Sequence, residues 1–277
     1  MAVRVVTDSA NDIPSDIVEE LGITVVPAYV RFGNTDYKDG VELTTDQFFD
    51  RLLNGPDFPA TSQPSVGDFS EVYADVADGA DGIVSVHISG KLSGTVNSAQ
   101  QGASVVNAAC PIEIVDTLQA SMGSGLAAIA AAKAARDGAS LQDVVAVAND
   151  AARKCQCICL LDTLEYLIKG GRIGKAQGMI GSLLKIKPMI ILRDGEVDNF
   201  AKERTRRKAV SRLQRAAGEF GSVESLAVMY STTSDEAERL AETLSSAVFG
   251  DTTIARFGPA LGTHVGPNAL GISLLSA

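Results

Sequence analysis

The chain has 277 residues, 45% hydrophobic and 21% charged, with a formal net charge of −10, a sequence pI of about 4.7 and a mean hydropathy of +0.13. Such a length makes one large domain or two ordinary ones. The acidity argues against general affinity for nucleic acid or an anionic membrane, and no apolar run is long enough to cross a bilayer, so the apolar surplus is expected inside the fold.

The β-branched run Val3-Arg4-Val5-Val6 starts a strand almost at once, which leaves no room for a signal peptide. It ends in Thr7-Asp8-Ser9, and Pro14 opens a helix to about Leu21. Residues 23–26 read as a strand, and Gly33-Asn34 sits between two short strand patterns as a hairpin turn. Thr44 with Gln47 forms a capping box for a helix to about Leu53, after which Thr61-Ser62-Gln63-Pro64-Ser65 reads as a loop. Ser65 caps a helix carrying Phe69, Val72, Tyr73 and Val76. A strand over 82–86 leads into the loop 89–95, a helix follows to about Val106, and a strand over 112–115 precedes two Ala-rich helices at 121–136 and 141–153. Strands alternating with helices predict a parallel, doubly wound sheet.

Beyond Lys154 the pattern changes. A strand over 155–160 is followed by a short helix over 162–168, a tight loop at Gly170–Gly174 and a helix over 178–184. Asp194-Gly195 between two strand patterns is a hairpin signal. Helices over 205–220 and 235–248 alternate with strands over 226–230, 252–256 and 271–274. A hairpin combined with crossover helices makes a mixed sheet. The predicted architecture is therefore two α/β domains, 1–153 with the parallel sheet and 154–277 with the mixed one.

Cys155, Cys157 and Cys159 alternate, and in a strand they would share one face. With only His87 and His264 available as further soft ligands, core thiols in a reducing cytoplasm are a better reading than a metal site. There is no G-x-x-x-x-G-K-[ST] phosphate loop, no G-x-G-x-x-G fingerprint, no G-x-S-x-G elbow and no H-E-x-x-H. Three loops rich in small residues and hydroxyls remain: 61–65, 89–95 and 262–267. Ser93 either caps the helix it precedes or offers a neutral hydroxyl beside free backbone N–H groups to an anion. Thr61 reads equally as loop composition. His264, flanked by glycines, points to exposure or to a ligand, whereas His87 at a strand end reads as structural. The aliphatic window Met179, Ile180, Leu183, Leu184, Ile186, Met189, Ile190 is either plain core or the wall of a greasy tunnel, with methionines adapting it to different chains. The run containing Arg204, Arg206 and Arg207 breaks the acidic trend; it is a solvated helix face or a docking patch for an acidic partner or a phosphate.

Thr7-Asp8-Ser9, Thr61–Ser65, Leu92-Ser93-Gly94-Thr95, Gly171-Arg172-Ile173-Gly174 with Ile186-Lys187-Pro188, and the stretch 262–271 occur in the order in which the DegV family of bacterial fatty-acid-binding proteins carries them, and the chain resembles that family from Val3 to about Leu274. The resemblance implies two α/β domains with the ligand between them, a bound long-chain fatty acid such as palmitate or oleate, and no cofactor, metal or catalytic residue. It implies that Thr61 and Ser93 hold the carboxylate with His264 nearby, and that a separate ATP-dependent fatty acid kinase phosphorylates the bound acid. Arg172 and the segment with Arg204, Arg206 and Arg207 then become partner-docking candidates, with only transient membrane contact and a cytoplasmic location. Val96, Val265 and Asn268 depart from the family pattern around the head group. Two other readings stay open: a serine hydrolase of acyl esters using Ser93 and His264, and a regulator that docks another protein through its basic helix.

Overall fold

A computed structural model describes residues 2–182, 186–246 and 248–277. The first half runs β1 (Ala2–Asp8), a 3-10 turn (Ser9–Asn11), α1 (Ser15–Leu21), β2 (Thr24–Val26), the hairpin β3 (Tyr29–Phe32) and β4 (Thr35–Lys38), and α2 (Thr45–Asn54). It continues through β5 (Ala60–Ser62), α3 (Val66–Val76), β6 (Ala80–His87), α4 (Thr95–Val105), β7 (Ile112–Asp116), α5 (Met122–Arg136) and α6 (Leu141–Lys154). The Thr44 and Ser65 capping boxes both form, each side-chain oxygen accepting from the amide three residues on.

The second half runs β8 (Cys155–Leu160), α7 (Glu165–Lys169), a 3-10 stretch (Gly174–Ser182), β9 (Lys187–Arg193), β10 (Glu196–Glu203), α8 (Arg206–Glu219), β11 (Val223–Tyr230), α9 (Ser234–Ser245), β12 (Thr252–Arg256), α10 (Pro259–Val265) and β13 (Leu270–Ser276). The helix expected over 178–184 is instead 3-10 up to Ser182, and Leu183 and Leu184 lie outside the described residues. Glycines at 174, 178 and 181 weaken an α-helix there. Asp194 and Gly195 both adopt positive φ (51° and 82°), the turn that matches strand twist, and β9 and β10 pair from Arg193↔Glu196 outward.

The strands form three sheets. One has the order β2-β1-β6-β7 and is parallel throughout, with Val5 opposite Val84 and Val84 opposite Glu113. The second, β10-β9-β8-β13-β11-β12, is mixed: only β11 and β12 run parallel. The third, β4-β3-β5, is a small antiparallel sheet: its β3–β4 hairpin is the one expected at Gly33-Asn34, whereas β5 was not expected and takes Thr61 out of a loop and into a strand opposite Val30.

The Ala-rich α5 is the centre of the molecule. Met122, Leu126, Ala127, Ala128, Ala131 and Ala132 are all buried, because the helix packs on β1 and β6 on one side and on β8, β11 and β13 on the other. A helix apolar all round is a buried helix, and alanine keeps it thin enough for two sheets to close on it. The largest apolar cluster therefore runs continuously from Val3, Val84 and Val86 through α5 to Cys157, Ile190 and Met229. The outer faces are covered separately: α3 and α4 bury Phe69, Tyr73 and Ala99 against the parallel sheet, while α8 and α9 bury Leu213 and Leu240 against the mixed one. The layers are thus helix, parallel sheet, helix, mixed sheet, helix. The change of strand pattern expected near residue 153 falls at the α6–β8 junction.

Candidate functional site

In the parallel sheet the chain leaves β1 for β2 on one side and has β6 on the other, so the sheet reverses its winding between β1 and β6. Ligand crevices open outside the carboxyl ends of the strands at such a point. A cavity of about 870 Å³, mouth included, lies there, between those strand ends and the mixed sheet. Its two ends differ. Thr61, Ser93, Arg172 and His264 are half-buried at one end, next to exposed Ser62 and Gln63. Ala10, Ala120, Cys157 and Phe257 are buried at the other. Between them the wall is aliphatic, supplied by Ile88, Ile190, Leu192, Val197 and Leu261.

His264 and Thr61, 203 residues apart, meet with Nε2 2.9 Å from Oγ1. Two local features make this contact. Val30 holds Thr61 in register in β5. Pro259 at the first helical position and Gly266 beyond the last make a short helix of the segment 259–265, which places His264 on its cavity side. That Pro-to-Gly spacing was the signal missed in reading 262–267 as a loop. Burial, and behind it the Arg172 guanidinium, push the His264 pKa down to about 4, so the ring is neutral at physiological pH. Its Nδ1 is sealed from solvent and has no hydrogen-bond partner among the described residues. A Cβ on Gly170 would lie 2.2 Å from that nitrogen, so only glycine lets the 170–174 loop approach the ring.

Ser93 lies just before α4. Its Oγ is 2.8 Å from Thr95 Oγ1 and accepts from the Thr95 amide at 3.3 Å. The N-cap position of α4 is Gly94 and no side chain caps the helix, so Ser93 holds a turn before the helix rather than capping it as expected. The hydrolase reading needs Ser93 bonded to His264 and an acid on the far ring nitrogen. Here Nε2 is taken by Thr61, Ser93 is taken by Thr95, and Nδ1 faces no acid, so the nucleophile–base pair is not formed.

Arg172 is not on an outer docking surface. Its Nε donates to the Leu92 carbonyl (3.1 Å) and its Nη1 to the Gly170 carbonyl (2.7 Å), so it ties the loop that carries Ser93 to the loop beside His264 and brings a positive charge to the polar end of the cavity. A second tie lies nearby: the β9–β10 turn accepts from Ser89 Oγ at Gly195 O (2.8 Å) and from Lys91 Nζ at Asp194 O (2.6 Å). Arg206 is corrected too. It forms a two-pronged ion pair with Glu236 (Nε to Oε2, 2.9 Å) and donates to the Asn268 carbonyl (2.7 Å), so it pins α8 to α9. Arg204 and Arg207 are exposed, the latter beside Lys208 and Arg215 along one face of α8.

The aliphatic window divides by strand alternation. Ile190 faces the cavity; Met189 points to the opposite side of β9 and packs with α8 and α9, and is no part of the wall. Met179 is buried in the central core and Ile186 is half-buried, neither on the cavity surface. Leu183, Leu184 and the Ile180 side chain fall outside the described residues. What the window missed is supplied by residues that the same period-2 rule identifies, Leu192 on β9 and Cys157 and Cys159 on β8. Burial pushes the Cys157 thiol up to about 11 and the Cys159 thiol higher than its ordinary range, so both are neutral, apolar wall.

His87 is structural. Tyr73 donates to Ser85 (2.9 Å), Ser85 to His87 Nε2 (2.7 Å), and Nδ1–H to Asp8 (2.9 Å), all within the buried interior. Among the described residues no group of three or more His, Cys, Asp or Glu is placed to hold a metal ion, and no helix is long and apolar enough to cross a membrane.

Two packed sheets thus enclose a cavity lined by hydroxyls, an arginine and a histidine and by an otherwise largely aliphatic wall. Residues 2–277 match the family described as "Uncharacterised protein, DegV family". A DegV domain-containing protein of Clostridium acetobutylicum is 36% identical, covering 99% of this chain and 97% of its own. A solved structure described as "Fatty Acid Binding of a DegV family Protein from Thermus thermophilus" superposes with a TM-score of 0.92 at 34% identity and full coverage of both chains. "DegV, a fatty acid binding protein from Bacillus subtilis" gives 0.89 at 31%, again over both whole chains. The chain belongs to the DegV family.

Proposed function

We propose that this protein binds one long-chain fatty acid, such as palmitate or oleate, with its carboxylate at Thr61 and Ser93 and its tail in the aliphatic cavity, and that it presents the acid to a separate ATP-dependent kinase for conversion to an acyl phosphate. The observation that carries the reading is the Thr61–His264 contact at the polar end of an otherwise aliphatic pocket. It is supported by the fatty-acid binding described for the Thermus and Bacillus relatives. The neutral imidazole donates Nε2–H to Thr61 Oγ1, which leaves the threonine O–H to be donated to a carboxylate. Ser93 supplies the second hydroxyl. Affinity comes from the tail: each buried methylene contributes roughly 0.8 kcal/mol, so about a dozen give on the order of 10 kcal/mol before association entropy. Hydroxyl donors orient the head group without burying it under a strong ion pair, which suits a carboxylate that must still react. In this reading the protein holds substrate and performs no chemistry of its own, works in the cytoplasm with transient membrane contact, and has no nucleic-acid partner.

Native mass spectrometry of the purified protein, repeated after denaturation, tests it. A mass excess that leaves on unfolding, with a long-chain acid in the extract, is expected. A protein that is empty and takes up neither palmitate nor oleate would sink the reading.

A further inference from the structure

Along α10, Ala260, Leu261 and His264 line the cavity at spacings of three and four residues that put them on one face, and Phe257, two residues before the helix starts at Pro259, lines it as well. His264 sits at the polar mouth. Phe257 lies beyond the opposite, N-terminal end of that helix and is only 2% exposed. Its position is fixed from behind: its amide donates to the Tyr230 carbonyl (2.8 Å) at the end of β11, and its ring tip would be 3.4 Å from a Cβ on Gly271 of β13, in the middle of the mixed sheet. The surfaces around this end are small: Ala10, Ala28, Ala120 and Ser121, the last with its hydroxyl committed to Asp12 at 2.6 Å. Phe257 carries the one phenyl ring among the residues that line the cavity.

We propose that Phe257 is the floor of the acyl cavity and sets the longest chain that it admits. The inference rests on the lipid-binding reading above. A smaller side chain at this position leaves an apolar space at the end of an apolar cavity, and such space stays dry and accepts apolar atoms. A longer tail then gains contacts that the wild-type ring denies it.

The test compares wild type, Phe257→Leu and Phe257→Ala after delipidation, each competed by native mass spectrometry against saturated acids from myristate to behenate, with circular dichroism and thermal melting as folding controls. Phe257→Leu is expected to shift the preferred chain longer by about two methylenes, with roughly four-fold in relative affinity per added methylene, and Phe257→Ala to shift it further. A folded Phe257→Leu with the wild-type length profile overturns the floor assignment, and so does a folded variant that loses short and long acids alike. Failure of the wild type to bind any acid in the series would instead overturn the lipid-binding reading, which separates the two claims.

Discussion

Thr61 and Ser93 are two hydroxyls with unequal surroundings. Thr61 is the hydrogen-bond partner of His264, whereas Ser93 has the adjacent Thr95. Replacing Ser93 by Ala removes one donor to the carboxylate and leaves Thr95 able to turn toward the space. A hydrogen bond to a charged group contributes about 1.5–3 kcal/mol, so Ser93→Ala should weaken fatty-acid retention by roughly ten- to a hundred-fold with the fold intact. Thr61→Val keeps the shape but strands the His264 Nε2–H as well, so its loss should be at least as large. Isothermal titration with oleate measures both; wild-type affinity in both variants would disprove the head-group assignment. Ser93 and Thr61 stand out in the sequence by the resemblance of their motifs to the DegV family rather than by local chemistry, and Thr61 turned out to lie in a strand. The identity of the partner of each could not be picked out of the sequence, since 203 residues separate Thr61 from His264.

At the scale of elements, the basic helix α8 has two faces with different work. Arg206 faces inward and pairs with Glu236, while Arg207, and Arg204 just before the helix, face solvent in an otherwise acidic protein. Reversing Arg204 and Arg207 to Glu should lower kinase-dependent turnover several-fold while leaving fatty-acid binding and melting unchanged, as expected for a surface that steers an acidic partner. Arg206→Glu should instead cost about 1–3 kcal/mol of stability, since it sets two carboxylates against each other in a half-buried site, and lower the melting temperature by several degrees. Kinase assays beside melting curves decide the matter. Equal behaviour of the two variants would mean that the faces are not distinct. The run of basic residues was visible in the sequence; which of them turns inward depends on where α9 lies.

For the molecule as a whole, three titrating groups sit where the two sheets meet. Asp12 accepts from the Gly258 amide (2.8 Å) and from Ser121, and Asp39 from Ser9 and the Ala260 amide, so both hold the start of α10 against the β1 end of the parallel sheet. Burial, with the neighbouring Asp39 and Asp8 adding to it, pushes Asp12 up to about 8; burial and then Asp8 push Asp39 up to about 6. A folded-state pKa raised above the unfolded one means stability present at low pH and lost as pH rises, here between about 4 and 8. His264 works in the other direction: depressed to about 4, it resists a proton that the unfolded chain accepts near 6.5, so stability falls as pH drops through that window. Asp12→Asn reproduces the protonated acid, accepting from Gly258 and donating to Ser121. It should flatten the alkaline decline, whose slope for one group is at most about 1.4 kcal/mol per pH unit. Urea unfolding at pH 6 and pH 9 measures this. An Asn variant that loses as much stability as wild type over that interval would exclude Asp12 as the source.

Alternation and capping are local, so the sequence by itself determined most of the alternating strands and helices, the Asp194-Gly195 hairpin, the shared face of the three cysteines and the loop that carries Ser93, but not the strand that carries Thr61 or the helix that carries His264. The order of strands within each sheet, the strand that captures Thr61, the inward turn of Arg172 and Arg206, the exclusion of Met189 from the cavity and the place of Phe257 in its wall were decided only by tertiary structure. The physical reason is that a hydrophobic pattern fixes which face of an element is buried but not what it is buried against. α5 could be recognised as apolar on every side, yet only the closing of two sheets upon it makes the crevice in which residues from both halves of the chain meet.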